Sequence, residues 1–177
     1  MEKWQEYKLN EVGLLKRGKS KHRPRYAFHL YGGPYPFIQT GDVKAAEKYI
    51  TTFSQTYSEE GLKQSMLWEK GTLCITIAAN IADIAILGFD ACFPDSVLGF
   101  QADENMCDQD FVYYLLILAK KELLSYADGS AQDNINLGTF EKVNFLFPPL
   151  RTQHLIAEVL SSLDNKIGLL TSQNTTL

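Results

Sequence analysis

Short apolar stretches rich in β-branched residues alternate with turn-forming residues through the middle of the chain. Such stretches are typical of buried strands, and we predict strands at 72–77, 81–87 and 96–100. The turn-rich segment before residue 37 predicts a further short strand at 37–39, and 144–147 is expected to form the last one. Together these segments predict a mostly β core.

Helical spacing appears only in the second half of the chain. Phe111, Tyr114, Leu115 and Leu118 recur on one face of a predicted helix, which begins at a capping aspartate near residue 110 and ends near residue 126. The stretch 44–70 is polar and mixed, and predicts loops with at most one helical turn. The sequence therefore predicts an α+β protein with a small, mostly β domain and flanking helices.

A second helical pattern follows the break at Pro148-Pro149. Apolar positions there alternate at spacings of four and three, which is the heptad seam of a coiled coil. We predict a long C-terminal coiled-coil helix, roughly 40 Å in length, and a domain division at 1–149 and 150–177. Packing of this helix on its own domain is the alternative. The seam consists of Ile156, Leu160, Leu163, Ile167, Leu170, Asn174 and Leu177.

Charge is unevenly distributed along a chain whose net charge is −4. Residues 1–25 carry eight lysines and arginines against three glutamates, whereas the remainder carries nine against eighteen acidic residues. We call residues 16–25 the basic segment. It can neutralise phosphates and release counterions from DNA, although a solvated loop kept basic for solubility is an equal alternative. Its cations are Lys16, Arg17, Lys19, Lys21, Arg23 and Arg25.

The residue patterns that would indicate an enzyme or a metal site are missing. There is no glycine-rich cofactor loop, no P-loop and no HExxH spacing, and the three cysteines lie far apart without a CxxC pair. We therefore expect no catalytic residue, no metal site and no bound cofactor. No apolar run is long enough to span a membrane, and without a signal-peptide pattern we expect a cytoplasmic protein. An enzyme with a site of scattered residues remains an alternative.

Five segments in order resemble one family, the specificity subunits of type I restriction–modification systems. The resemblance covers nearly the whole chain, although a full specificity subunit has two recognition domains and two helices, and this chain has one of each. The similar segments are the entry from Trp4 to Lys19, Tyr35-Pro36-Phe37-Ile38-Gln39-Thr40-Gly41-Asp42-Val43, Gly71-Thr72-Leu73-Cys74-Ile75 with Ile84-Ala85, Gly129-Ser130-Ala131-Gln132 with Asn134-Ile135, and Pro148-Pro149-Leu150 with Gln153, Ile156 and Ala157.

The resemblance implies a target-recognition domain that binds double-stranded DNA without performing chemistry. Partner modification (methyltransferase) subunits would bind S-adenosylmethionine, and a restriction/translocase subunit would join for cleavage. The paired helices would set the distance between two half-sites, and a half-subunit would form a homodimer through residues 151–177. A protein-interaction module that acts through its coil alone is the rival reading. Besides the basic segment, the candidate DNA-binding residues are Gln39, Thr40, Asp42, Asn80, Gln132 and Asn134.

Overall fold

The computed structural model describes residues 3–22, 24, 26–79, 81–128 and 135–175. Within these residues, strands form two packed sheets and a short two-stranded sheet, and a long helix closes the chain. The α+β class with a long C-terminal helix is confirmed. The strands are β1 Gln5–Tyr7, β2 Gly13–Arg17, β3 Tyr31–Phe37, β4 Tyr49–Ile50, β5 Gln55–Tyr57, β6 Leu67–Trp68, β7 Leu73–Thr76, β8 Ile84–Leu87, β9 Ala91–Cys92, β10 Val97–Ala102 and β11 Phe145–Phe147. The helices are α1 Thr40–Ala45, α2 Glu59–Lys63, α3 Gln109–Asp128, α4 Leu137–Phe140 and α5 Leu150–Thr175.

The central sheet has the strand order β2-β10-β7-β8-β4. Its first four strands pair antiparallel, whereas β4 joins β8 in parallel. Both faces are covered, since Leu73 and Ile75 enter the core on the α3 side while Cys74 enters the core shared with the second sheet. A strand buried on both faces has a continuous apolar pattern rather than an alternating one. That pattern is why the strands at 72–77, 81–87 and 96–100 were predictable.

The second sheet, ordered β5-β3-β9-β6, packs across the central one through aromatic rings. Trp68 and Phe93 stack at a centroid distance of 5.0 Å. Gly99 lies directly beneath them, where an added Cβ would lie 2.7 Å from the Trp68 ring. Glycine at this position therefore allows the two sheets to approach.

The strand predicted at 37–39 is wrong in its bounds. β3 begins at Tyr31 and ends at Phe37, and α1 follows from Thr40. The turn-forming residues inside β3 are accommodated because the pairing with β5 shifts register between Tyr31 and Tyr35, with Gly32 at a φ of +81°. An irregularity of this kind leaves some backbone groups out of the ladder, so prolines fit.

The three cysteines are buried and unpaired. Burial raises the pKa of all three thiols, and that of Cys107 reaches about 12. Because the thiolate is the reactive form, we expect no alkylation of the native protein at pH 8 and alkylation of all three thiols after unfolding. Mass spectrometry of protein pulsed with iodoacetamide checks this, and rapid native labelling of Cys74 would contradict the described packing.

Candidate nucleic-acid interface

The first two cations of the basic segment lie on an exposed edge strand. Lys16 pairs with Gly99 and Arg17 with Leu98 at the end of β2. Successive side chains of a strand point to opposite faces, so these two cations leave the sheet on different sides. Both are exposed. The edge of the central sheet therefore carries positive charge on both of its faces, and the two cations do not form one continuous basic face.

The backbone after β2 is firmly held on the core. Gly18 donates its N–H to Val97 O at 2.8 Å, and Lys19 donates to Phe93 O at 2.9 Å. Further along, the His22 N–H donates to the side chain of Gln64 at 2.9 Å. Lys21 lies between these anchors with an exposed side chain, and Lys19 is half-buried. Lys19 and Lys21 are thus attached to a fixed backbone.

Two exposed aromatic rings lie at the far side of this loop. Tyr26 is 85% and Phe28 95% exposed. The turn that carries them is closed by the Ala27 N–H donating to Pro24 O at 3.2 Å. Sequence reasoning missed these rings, although two aromatics close behind a run of cations were a signal for them. Aromatic side chains beside cations are suited to stacking on or wedging between bases.

Phe28→Ser tests whether the exposed ring contributes to DNA binding. Because the ring touches little of the protein, we expect the free energy of unfolding to change by less than about 0.5 kcal/mol. We expect duplex affinity, measured by fluorescence anisotropy, to fall several-fold. Leu118→Ser, at an apolar side chain of α3 that is 83% exposed, is the matched control, and equal losses in both variants would remove Phe28 from the interface.

Gln39, Thr40 and Asp42 follow the end of β3, at the start of α1. Ile38 donates its N–H to Cys92 O at 2.8 Å and Lys19 donates to Phe93 O at 2.9 Å, so the backbone of Lys19 lies close to this end of β3. Asp42 accepts the Gln39 N–H at 2.8 Å in the first turn of α1, so its carboxylate has a local capping role. Asp42 also borders a cleft beside α5. The structure therefore places Lys19 near the start of α1, whereas the carboxylate of Asp42 is held by its own helix.

The remaining predicted residues fall outside the described part of the chain. They are Arg23, Arg25, Asn80, Gln132, Asn134 and Leu177. Their assignment to DNA binding or dimerisation stays a prediction.

The start of α5 is tied to the rest of the protein by one buried amide. Gln153 is 1% exposed. Its Oε1 accepts the Asp108 N–H at 3.1 Å, and its Nε2 donates to Pro148 O at 2.9 Å and to Met106 O at 3.3 Å. Next to it, His154 Nδ1 lies 2.7 Å from the Asp108 carboxylate. The side chain of Gln153 thus provides hydrogen-bond partners for backbone groups that precede α3 and for one that precedes α5.

The predicted seam divides into a part that faces the domain and a part that faces solvent. Ile156 is partly buried against the main core, and Leu160 is partly buried at the cleft. Asn174 is exposed. The solvent-facing residues form an apolar stripe along the helix, which also includes two residues that the heptad pattern did not assign. The stripe consists of Leu155, Val159, Leu163, Ile167 and Leu170, each between 45% and 62% exposed.

Within the described residues, no three histidine, cysteine, aspartate or glutamate side chains are grouped so that they could hold a metal ion. None of the helices in this described part of the chain is both long enough and apolar enough to cross a membrane.

The described residues thus form a two-sheet domain with a basic edge, joined to a long helix that carries an apolar stripe. The sequence profile described as the type I restriction modification DNA specificity domain matches residues 1–177. The chain belongs to this family, so the resemblance seen in the sequence is confirmed.

Individual relatives agree with this assignment. The chain is 24% identical over 168 residues to a putative type I restriction enzyme MjaX specificity subunit of Methanocaldococcus jannaschii, covering 95% of this chain and 38% of that protein. It is 24% identical over 143 residues to the MjaVIII specificity subunit of the same organism, covering 80% and 32%. The chain thus spans less than two fifths of the length of these relatives.

Solved structures share the fold. The HsdS subunit from Thermoanaerobacter tengcongensis superposes with a TM-score of 0.72 at 18% identity, covering 96% of this chain and 39% of that one. The type I restriction-modification S subunit from M. genitalium gives 0.68 at 18% identity, covering 97% and 41%. Each match covers about two fifths of the solved chain.

Proposed function

We propose that this chain recognises a short DNA sequence and directs the partner subunits of a type I restriction–modification system to it. The observation that carries the proposal is the basic segment, held on the core by backbone hydrogen bonds within a chain whose whole length matches the DNA specificity domain. Phosphate contacts by Lys16, Lys19 and Lys21 would supply affinity and orientation, while base contacts would supply specificity.

In this proposal the chain performs no chemistry of its own. A modification subunit would bind S-adenosylmethionine and methylate the flipped base, and a restriction/translocase subunit would cleave. The chain's contribution is to bind, orient and hold the duplex beside those partners. Assays for S-adenosylmethionine binding and for nuclease activity on the isolated chain should therefore be blank. Turnover that is abolished by one substitution in this chain would contradict the proposal.

A bipartite target requires a second recognition unit, and we propose that a second copy supplies it through α5. The apolar stripe is the surface available for this, because it is exposed over several helical turns. An isologous helix pair would relate two domains by a two-fold axis. The target would then be two-fold symmetric, since the symmetry of a DNA site follows that of its dimeric protein.

Leu163→Asp is expected to convert the dimer into a monomer, because it places a charge in the middle of the apolar stripe, where the partner helix would have to desolvate it. Sedimentation equilibrium at micromolar concentration measures the change. Asn165→Asp adds the same charge to a different face of α5 and should leave the dimer intact. A wild-type chain that is already monomeric at this concentration would rule out the homodimer.

The function is tested by titrating a fluorescent duplex with the chain at several salt concentrations. We expect binding that weakens steeply as salt rises, as for any protein that neutralises several phosphates. The exposed apolar stripe alone would also suit a protein-interaction module without DNA contact. Absent or salt-insensitive binding, with the modification subunit also present, would favour that second function.

A further inference from the structure

A charged junction inside the protein connects the central sheet directly to the middle of α5. Lys48 lies immediately before β4, and its carbonyl accepts the Ile86 N–H of β8 at 2.8 Å. Its backbone is therefore part of the sheet. Lys48 as a whole is only 8% exposed. Such burial is unusual for a lysine and requires that its charge be paired.

The Lys48 ammonium is shared by two helices. It forms an ion pair with Asp110 of α3 at 3.0 Å and donates to Ser161 Oγ of α5 at 2.8 Å. It also donates to Tyr114 Oη at 3.2 Å, and the three rings of Tyr49, Tyr113 and Tyr114 lie within 5.4 Å of it. One cation thus fastens the sheet, α3 and α5 at the same point.

Tyr114 adds a second connection to α5. Its hydroxyl donates to Asp164 Oδ2 at 2.6 Å. Because the hydroxyl has one proton, this short bond leaves the oxygen to accept from Lys48. Burial and the bond to Asp164 raise the pKa of Tyr114, whereas bonds to Ser161 and Lys48 lower it, and the rise prevails. The tyrosine therefore remains protonated and able to donate at ordinary pH.

The junction lies where a small change of angle has a large effect. Beyond Ser161 the helix extends for roughly 14 residues, or about 21 Å at about 1.5 Å per residue. A tilt of about 10° at the junction would move the far end by nearly 4 Å, about one base-pair step of roughly 3.4 Å. Apolar packing is tolerant of such tilts, whereas short charged hydrogen bonds with defined directions are not.

We propose that Lys48 and Tyr114 are positioning residues that fix the angle between α5 and the recognition domain and thereby select the spacing between two half-sites. This inference rests on the proposed function, because spacing has meaning only for a bipartite target. The two residues contact no DNA in this proposal. They act through the direction of the helix, so they affect discrimination between spacings and leave the recognition of each half-site unchanged.

The first test measures the helix angle without DNA. Nitroxide labels are attached to cysteines introduced at the exposed positions Asn10 and Gln173, and pulsed electron–electron resonance is recorded in protein diluted with unlabelled chain. We expect a narrow distance distribution in the parent and a broadened or displaced one in Lys48→Met and Tyr114→Phe. Lys120→Met is the matched control, because Lys120 pairs with Asp83 and not with α5. An unchanged distribution in both junction variants would overturn the inference.

The second test measures how strongly the protein prefers one spacing between the two half-sites. Sites are selected from a random duplex library with the wild-type chain, and affinities are then measured for the selected site and for versions with one base pair added or removed. We expect the wild type to prefer its own spacing by roughly tenfold, comparable to one mismatched base pair, and Tyr114→Phe and Lys48→Met to lose that preference. Half-site affinity and thermal unfolding of Tyr114→Phe should remain near the wild type.

The outcomes separate the two proposals. If the wild type selects no sequence, the proposed function fails, and the distance measurement still decides whether the junction sets the helix angle. If the wild type selects a bipartite site and both junction variants keep its spacing preference, the positioning role fails while the function stands.

Discussion

The triple variant Lys16→Ala, Lys19→Ala and Lys21→Ala is expected to lose most of its affinity for duplex DNA at moderate salt. Each lysine that neutralises a phosphate contributes about 0.9 to the slope of log affinity against log salt. Losing three such contacts makes that slope shallower by about 2.7 and lowers affinity at 0.1 M salt by up to roughly 500-fold. Fluorescence anisotropy across a salt series measures both quantities.

The fold of this variant should be unaffected, because the anchoring bonds of the loop are made by backbone atoms. A control with the same change in net charge replaces Lys70, Lys121 and Lys142, which are exposed elsewhere on the chain. This control variant should lose only general electrostatic attraction to DNA. It should therefore bind the duplex far more tightly than the variant of the basic segment. Equal losses would mean that the basic segment has no special place in DNA binding.

Gln153→Leu is expected to be the most destabilising single change at the start of α5. Leucine leaves the Asp108 N–H without its acceptor and the carbonyls of Met106 and Pro148 without this donor. A buried polar group without a partner costs about 1–3 kcal/mol. We expect a loss of about 3 kcal/mol in the free energy of unfolding and a fall in melting temperature of roughly 10 °C.

Denaturant unfolding followed by circular dichroism measures this loss. Gln173→Leu makes the same replacement at an exposed position on the same helix and should change stability by less than about 0.5 kcal/mol. If Gln153→Leu were as stable as the wild type, the buried amide would not hold α5 to the domain. The structure thus gives a physical reason for the glutamine that follows the Pro-Pro pair in the segment resembling the family.

The sequence predicted the elements in which local pattern and burial agree. Strands β7, β8 and β10 are buried on both faces and left continuous apolar stretches. Helical spacing predicted α3 and α5, but it did not predict every buried position, since Leu118 of the predicted α3 face is 83% exposed. β3 was placed too late because its glycines and prolines indicate a turn, and only a register shift against β5 accommodates them. A register shift of this kind depends on the partner strand, so the pattern of one sequence does not predict it.

The candidate site was only partly predictable for the same reason. Charge density located the basic segment, but the pattern could not show that Asp42 caps its own helix and borders the cleft beside α5. The heptad spacing of α5 was recognised, but it did not show which residues face solvent. Ile156 and Leu160 of the seam lie against the domain. Leu155 and Val159, which are outside the seam, are exposed. Lys48 lay in a stretch expected to be loop, and its role depends on residues more than sixty positions away.

The proposed function requires above all that the protein prefer one duplex sequence over others. The chain is titrated with the duplex enriched by selection and with a scrambled duplex of equal length and composition at 0.15 M salt. We predict that the enriched duplex binds at least about 1,000-fold more tightly, as specific DNA-binding proteins do. Equal affinity for the two duplexes, with the modification subunit present as well as absent, would rule out sequence-specific recognition by this chain.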